Sequence, residues 1–256
     1  MACHPRSRPW APAALLAALL AASGSSAAGA AGAPPVPILA YHHIGAAPPG
    51  AAKPQLWLRP ALLRRQLGTL DRAGYEAVTL NRVWRAWHGA GALPAHPVVL
   101  SFDDGYASQY RNAAPALRAH DWPAVLNLQV KRLGARGGLT DAQVRAMIRA
   151  GWEIDAHSVT HPDLTKVSAK RLAAELAGSR EAIRTAFGVP ADFFAYPYGR
   201  QDARVRAAVR RAGFLAATTT DRAFASADAD PFALGRVLIG AGLSPAAMLQ
   251  ALRIGG

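Results

Sequence analysis

Three short segments of this 256-residue chain carry side chains whose types and spacing suit hydrolytic chemistry. The first is Ser101-Phe102-Asp103-Asp104-Gly105, two adjacent carboxylates directly after the apolar run Val98-Val99-Leu100. Paired carboxylates at the end of a buried strand are unfavourable unless something neutralises them. A metal ion is one answer: it binds one carboxylate and leaves the other beside it as a base. An Asx-type turn is the plain alternative, with Asp for local hydrogen bonds and Gly for a positive φ. The second segment is His157-Ser158-Val159-Thr160-His161-Pro162. Two imidazoles four residues apart can face one ion. Pro162 disfavours the α region for His161, so the pair belongs to a loop or a single turn. Taken alone it is also compatible with two surface histidines. Combined with an Asp from another strand end, two His and one carboxylate form a ligand set that leaves metal positions open for water and substrate. The third segment, Phe193-Phe194-Ala195-Tyr196-Pro197-Tyr198-Gly199, joins an apolar strand to a rigid turn. Such a turn can aim a backbone N–H at a developing oxyanion, or it can be structural only.

These segments need a scaffold that brings strand ends together. Apolar runs of strand length begin near residues 36, 75, 97, 124, 152, 193, 214 and 234. Between them lie helix-like stretches at 59–73, 81–90, 140–150, 168–187 and 202–212, a further one reaching 120 with Pro115 disturbing it, and a last one capped by Ser244. Asn81, Thr140 and Ser244 are the expected N-caps, and Gly74 and Gly151 the expected stops. Strands alternating with helices predict a mostly parallel sheet. About seven such units suggest a closed or nearly closed β/α barrel, in which chemistry sits at the C-terminal ends of the strands. Tyr41-His42-His43, Asp103-Asp104, His157 to His161, and Tyr198 all fall at such ends.

The first 33 residues read as a secretory signal and a small-residue linker: Arg6 and Arg8, an apolar run at 10–22, then A-x-A-like sites at 28–30 and 31–33. The run is shorter than the roughly 20 residues a membrane span needs. Residues 34–256 read as one domain. Cys3 is the only cysteine, so the fold rests on its core rather than on disulfides. The 29 Lys and Arg exceed the 16 Asp and Glu, but they are spread along the chain. Nucleic-acid binding wants a concentrated stripe or a known module, and neither is evident.

The ordered set of segments resembles the polysaccharide deacetylase family, the NodB-homology domains of carbohydrate esterase family 4. Pro37-Ile38-Leu39-Ala40-Tyr41-His42-His43 also resembles the opening of its poly-N-acetylglucosamine deacetylase branch. The resemblance implies a single-domain, distorted (β/α)7-type barrel. It implies that Asp104, His157 and His161 hold a divalent metal, zinc or else cobalt or nickel. It implies that Asp103 is the general base that activates the attacking water, and that the Tyr198 N–H stabilises the oxyanion. The substrate would be an N-acetylated polysaccharide, met in the periplasm or outside a bacterium. No stable membrane span is expected after signal cleavage, and oligomeric state is left open.

Two departures stand out. The third motif of the family begins with an Arg that orients the base, and Ala195 occupies that position; Arg236 is a candidate replacement. No histidine follows His161, so the general-acid role falls to His42, as in that branch, with His43 on the opposite face of its strand. The missing Arg also motivates an alternative, a catalytically weak relative that binds glycan. A phosphoesterase or peptide amidase would call for more convergent Asp and His ligands.

Overall fold

The computed structural model describes Met1 and residues 34–254. The expected signal segment, both cleavage candidates and Cys3 lie outside the described residues. In chain order the elements are β1 (Ile38–Tyr41), β2 (His43–Ile44), β3 (Trp57–Leu58), α1 (Pro60–Arg72), β4 (Glu76–Ala77), α2 (Leu80–Trp87) and β5 (Pro97–Asp104). They continue with α3 (Ala114–Arg118), β6 (Val125–Leu128), α4 (Asp141–Arg149), β7 (Glu153–Ala156), α5 (Ala169–Phe187), β8 (Phe193–Ala195), α6 (Ala203–Arg211), β9 (Ala216–Thr218), β10 (Val237–Leu238) and α7 (Pro245–Arg253).

The main sheet is parallel and runs β10-β1-β5-β6-β7-β8-β9, with β4 added beside the start of β5. Its two edges meet through one short segment. Leu234 pairs with Thr218 of β9, and three residues later Val237 pairs with Leu39 of β1. The sheet therefore curls into a distorted β/α barrel whose seam is residues 234–238. Alternation in β5 sorts the side chains. Val98, Leu100 and Phe102 pack outward in the core beneath the helices. Val99 belongs to the inner cluster with Ile38, Val125, Phe193 and Leu234, which Val83 and Trp87 of α2 close at the N-terminal end.

Two expected details differ. Thr79, not Asn81, caps α2: its hydroxyl accepts the Arg82 N–H at 3.2 Å, and Asn81 is the second residue of the helix. The helix expected to reach 120 is broken. Residues 109–113 form a π-helical turn, and α3 starts anew with Pro115 in its first turn, where no N–H donor is required. At the other caps, Thr140 forms a capping box with Gln143, and Ser168, Asp202 and Ser244 each accept a backbone N–H.

Below the strand ends, Glu153 and Asp155 share one face of β7. Glu153 Oε2 accepts the Asn81 N–H at 2.9 Å, and Asp155 Oδ1 accepts the Phe193 N–H at 3.1 Å. Their other oxygens, Glu153 Oε1 and Asp155 Oδ2, are buried without a donor from any other described residue. A carboxyl pair in that position is satisfied when it keeps a proton between its members. Burial, then the neighbouring Glu153, pushes the Asp155 pKa well above the usual carboxylate range, and burial raises Glu153 too. The folded state thus holds a proton that the unfolded chain releases near about pH 4. Stability contributed by the pair is complete below that pH and declines as pH rises through the folded pKa. Asp155→Asn, which mimics the protonated acid, should flatten the fall in Tm as pH rises above the range where free carboxyls titrate. An unaltered slope in thermal unfolding would rule out a shared proton.

Candidate active site

Asp104, His157 and His161 converge at the ends of β5 and β7. Asp104 Oδ1 lies 3.6 Å from His157 Nε2 and 3.4 Å from His161 Nε2, and the two Nε2 atoms are 3.1 Å apart. Asp104 follows an inward Asp103, and its φ of 77° breaks the strand alternation. The next residue needs glycine: Gly105 has a φ of 84°, and a Cβ there would lie 2.6 Å from Leu128 Cδ1. The histidine loop is held from both sides. Glu175 of α5, itself buried, accepts the N–H groups of Val159 and Thr160 at 3.0 and 2.8 Å and the Thr160 hydroxyl. Ser158 Oγ accepts the His161 N–H at 2.8 Å. Positive φ at Ser158 and His161 folds the loop back so that both rings meet. His157 Nδ1 lies 2.7 Å from the Ala195 carbonyl, which assigns its proton to Nδ1 and leaves the Nε2 lone pair facing the cluster.

Three ligand-type atoms therefore face one another in a group that could hold a metal ion. Ligands roughly 2.0–2.2 Å from a tetrahedral ion stand about 3.3–3.6 Å apart; both distances from Asp104 Oδ1 match this, and the two Nε2 atoms, 3.1 Å apart, are slightly closer. Burial, then His157, lowers the His161 pKa to about 4, which keeps its ring neutral and able to donate its lone pair.

Asp103 is buried and tightly held. Arg236, in the seam, binds it end-on: Nη1 to Oδ1 at 2.8 Å and Nη2 to Oδ2 at 2.9 Å, with Arg236 only 1 % exposed. Asn127 Nδ2 donates to the same Oδ1 at 2.7 Å. Arg236 Nε donates to the Thr219 carbonyl, which fixes the guanidinium across the seam. Burial alone would raise the Asp103 pKa. Arg236, helped by His157 and His42, outweighs it and holds the carboxyl well below the usual range. His42 Nε2 lies 3.8 Å from Asp103 Oδ2. Burial lowers the His42 pKa, against the pull of Asp103 and Asp104.

The Tyr196-Pro197-Tyr198-Gly199 turn closes through the N–H groups of Gly199 and Arg200, and Tyr198 takes a φ of 60°. The Tyr198 ring is 46 % exposed and meets His161 edge-on at 4.6 Å. All six residues singled out from the sequence line one cavity of about 500 Å³, and Arg236 lines it too. His43 points elsewhere, stacked between Trp57 at 3.7 Å and Tyr106 at 3.4 Å. His88 and His120 bond locally, to the Trp84 carbonyl and Asp71. Trp87, Trp122 and Trp152 are core residues. Asn127 and Glu175 escaped sequence reasoning; a lone polar residue inside an apolar strand or helix face was the available signal.

Residues 90–217 match the family model described as polysaccharide deacetylase. The chain belongs to the polysaccharide deacetylase family. It is 29% identical over 150 residues to YxkH of Bacillus subtilis (strain 168), named as a polysaccharide deacetylase, covering 59% of this chain and 54% of that one. It is 43% identical over 68 residues to the poly-β-1,6-N-acetyl-D-glucosamine N-deacetylase of Escherichia coli (strain K12), covering 27% of this chain and 10% of that one. The chain thus spans about half the length of the first relative and a small part of the second. The solved structure of Streptococcus pyogenes deacetylase PplD in complex with acetate superposes with a TM-score of 0.80 at 28% identity, covering 85% of this chain and 98% of that one. The polysaccharide deacetylase match contains Asp103, Asp104, His157, His161 and Tyr198, whereas His42 and Arg236 lie outside it. Those two reach the site through β1 and the seam.

Removing the guanidinium leaves Asp103 buried without its counter-charge. Arg236→Gln should lower unfolding stability by about 3–5 kcal/mol near neutral pH, with the deficit shrinking in acid as the orphaned carboxyl protonates. Urea titrations read this directly; a loss below about 1 kcal/mol would place the pair among surface-type ion pairs.

Proposed function

We propose that this chain hydrolyses N-acetyl groups from an amino-sugar polysaccharide, with Asp104, His157 and His161 holding a divalent cation, zinc by preference. The observation that carries the reading is the meeting of three lone-pair donors beside a separate, clamped carboxylate in one open cavity. A cation bound there would lower the pKa of water toward neutrality and polarise the acetamide carbonyl. Asp103, kept ionised by Arg236, accepts the proton lost by the attacking water. The Tyr198 backbone N–H faces the oxygen on which charge develops. His42 supplies a proton to the departing nitrogen, and its 3.8 Å separation from Asp103 keeps proton release and uptake within one site. Similarity to the Escherichia coli enzyme supports a poly-N-acetylglucosamine-like substrate, with cell-wall glycan the other candidate. The apolar segment before residue 34 supplies the route of export to such a polymer, outside the cytoplasm of a bacterium. No described helix is long and apolar enough to cross a membrane.

The test is acetate release by the full chain from N-acetylglucosamine oligomers and from peptidoglycan, with added Zn²⁺ or Co²⁺ and with chelator. Release should need the metal, and Asp103→Asn and His42→Ala should each reduce kcat by about 10²-fold or more. Stoichiometric metal binding without release from any glycan would favour the glycan-binding relative, for which the Ala195 departure is the one argument. A chain that binds no metal would end the assignment of Asp104, His157 and His161.

A further inference from the structure

Charge at the mouth of the cavity is lopsided. Lys53, Arg132 and Arg200 line it, beyond the buried Arg236. Arg236 neutralises Asp103, and Arg200 is paired with Asp163 at 2.7 Å. No carboxylate of the described residues lies within 4.0 Å of Lys53 or Arg132. Both cations are nonetheless held in place. The Lys53 ammonium lies 4.8 Å above the Tyr198 ring, and the Arg132 guanidinium lies 4.3 Å above Tyr106, with its Nε bonded to Gln129 Oε1. Arg132 follows the end of β6, and Tyr198, with Lys53 over it, follows the end of β8. The β7 end between them carries both histidines. A fixed positive charge thus flanks the reacting centre on each side.

Such a mouth suits few N-acetylated polymers. Hydrolysis of an acetamide turns a neutral group into an ammonium, so a neutral polymer grows positive and is repelled by the cations that bound it. A polymer with its own negative groups keeps its attraction through successive cleavages. We propose that the substrate is an anionic glycan, with a carboxylate or phosphate on a sugar next to the one that loses its acetyl group, and that Lys53 and Arg132 read that charge. This rests on the deacetylase reading above and narrows its substrate class.

The experiment compares an N-acetylglucosamine–N-acetylmuramic acid tetrasaccharide with its methyl ester, which keeps the shape and removes the charge. A glycerol-phosphate-substituted N-acetylglucosamine oligomer and the unsubstituted oligomer separate a phosphate source from a carboxylate one. Calorimetric Kd and acetate release are both measured on the full chain with metal. The acid or the phosphate-bearing oligomer should bind roughly three- to tenfold more tightly than its neutral counterpart. Salt should erase the difference, and Lys53→Ala with Arg132→Gln should narrow it. Equal Kd values for charged and neutral partners, or a preference that both salt and the double variant leave intact, would overturn the proposal. Discrimination in Kd with no acetate released would instead refute the deacetylase reading while leaving the charge preference standing. Acetate release without discrimination would do the reverse.

Discussion

The arrangement depends on one buried ion pair. Asp103 and Asp104 are consecutive, and neither has enough water around it to stay ionised unaided. Two carboxylates this close repel each other, and burial penalises each. The structure resolves this by giving them different counter-charges. Asp103 receives a planar, permanently charged guanidinium in bidentate contact, and Asp104 turns away, by its positive φ, toward the rings of His157 and His161. One carboxylate is thereby committed to an internal cation, and the other faces the two histidines with which it could hold a metal ion. An arginine suits the first task better than a lysine would, because its fork occupies both oxygens and fixes the plane of the carboxylate.

That pair also explains why the barrel is closed as it is. The segment 234–238 pairs with β9 through Leu234 and with β1 through Val237, so Arg236 stands between the two pairings and its side chain reaches the Asp103 carboxylate from the seam. Its Nε bond to the Thr219 carbonyl ties the guanidinium to the β9 side, while its Nη atoms hold the β5 carboxylate. Opening the seam would remove the counter-charge from Asp103, and losing Asp103 would leave a buried arginine at the seam. Barrel closure and ionisation of Asp103 are thus one constraint. The same coupling operates at β7, where the His157 imidazole is oriented by the Ala195 carbonyl of β8, so that strand pairing sets the direction of a lone pair.

The alternation of strands and helices was readable because parallel strands buried on both faces appear as short apolar runs between amphipathic stretches. The chemistry-bearing residues were readable because charged or imidazole side chains directly after such runs are unfavourable there without a purpose. Element ends were less legible. Thr79 and Asn81 are both good caps, and only the reach of the Asn81 N–H to Glu153, seventy-two residues away, decides between them. The π-helical turn at 109–113 depends on tertiary packing of Gln109, whose amide donates to the carbonyls of both His42 and Asp103. Glu175 was hard to read because a glutamate in a long helix normally faces solvent; its place on an apolar helix face was the one signal, and the fold reveals the loop whose two N–H groups it accepts.

The departure at Ala195 illustrates how a site can keep its electrostatics while changing its sequence. What Asp103 requires is a guanidinium in its plane within hydrogen-bond reach, and nothing in that requirement specifies the strand that delivers it. Alanine at the end of β8 brings no charged group, and Arg236 in the seam supplies the guanidinium instead. Because its carbonyl oxygen orients His157, position 195 still serves the site through its backbone, a function indifferent to side-chain identity. A motif read as letters loses its arginine here; read as charges and directions, it loses nothing.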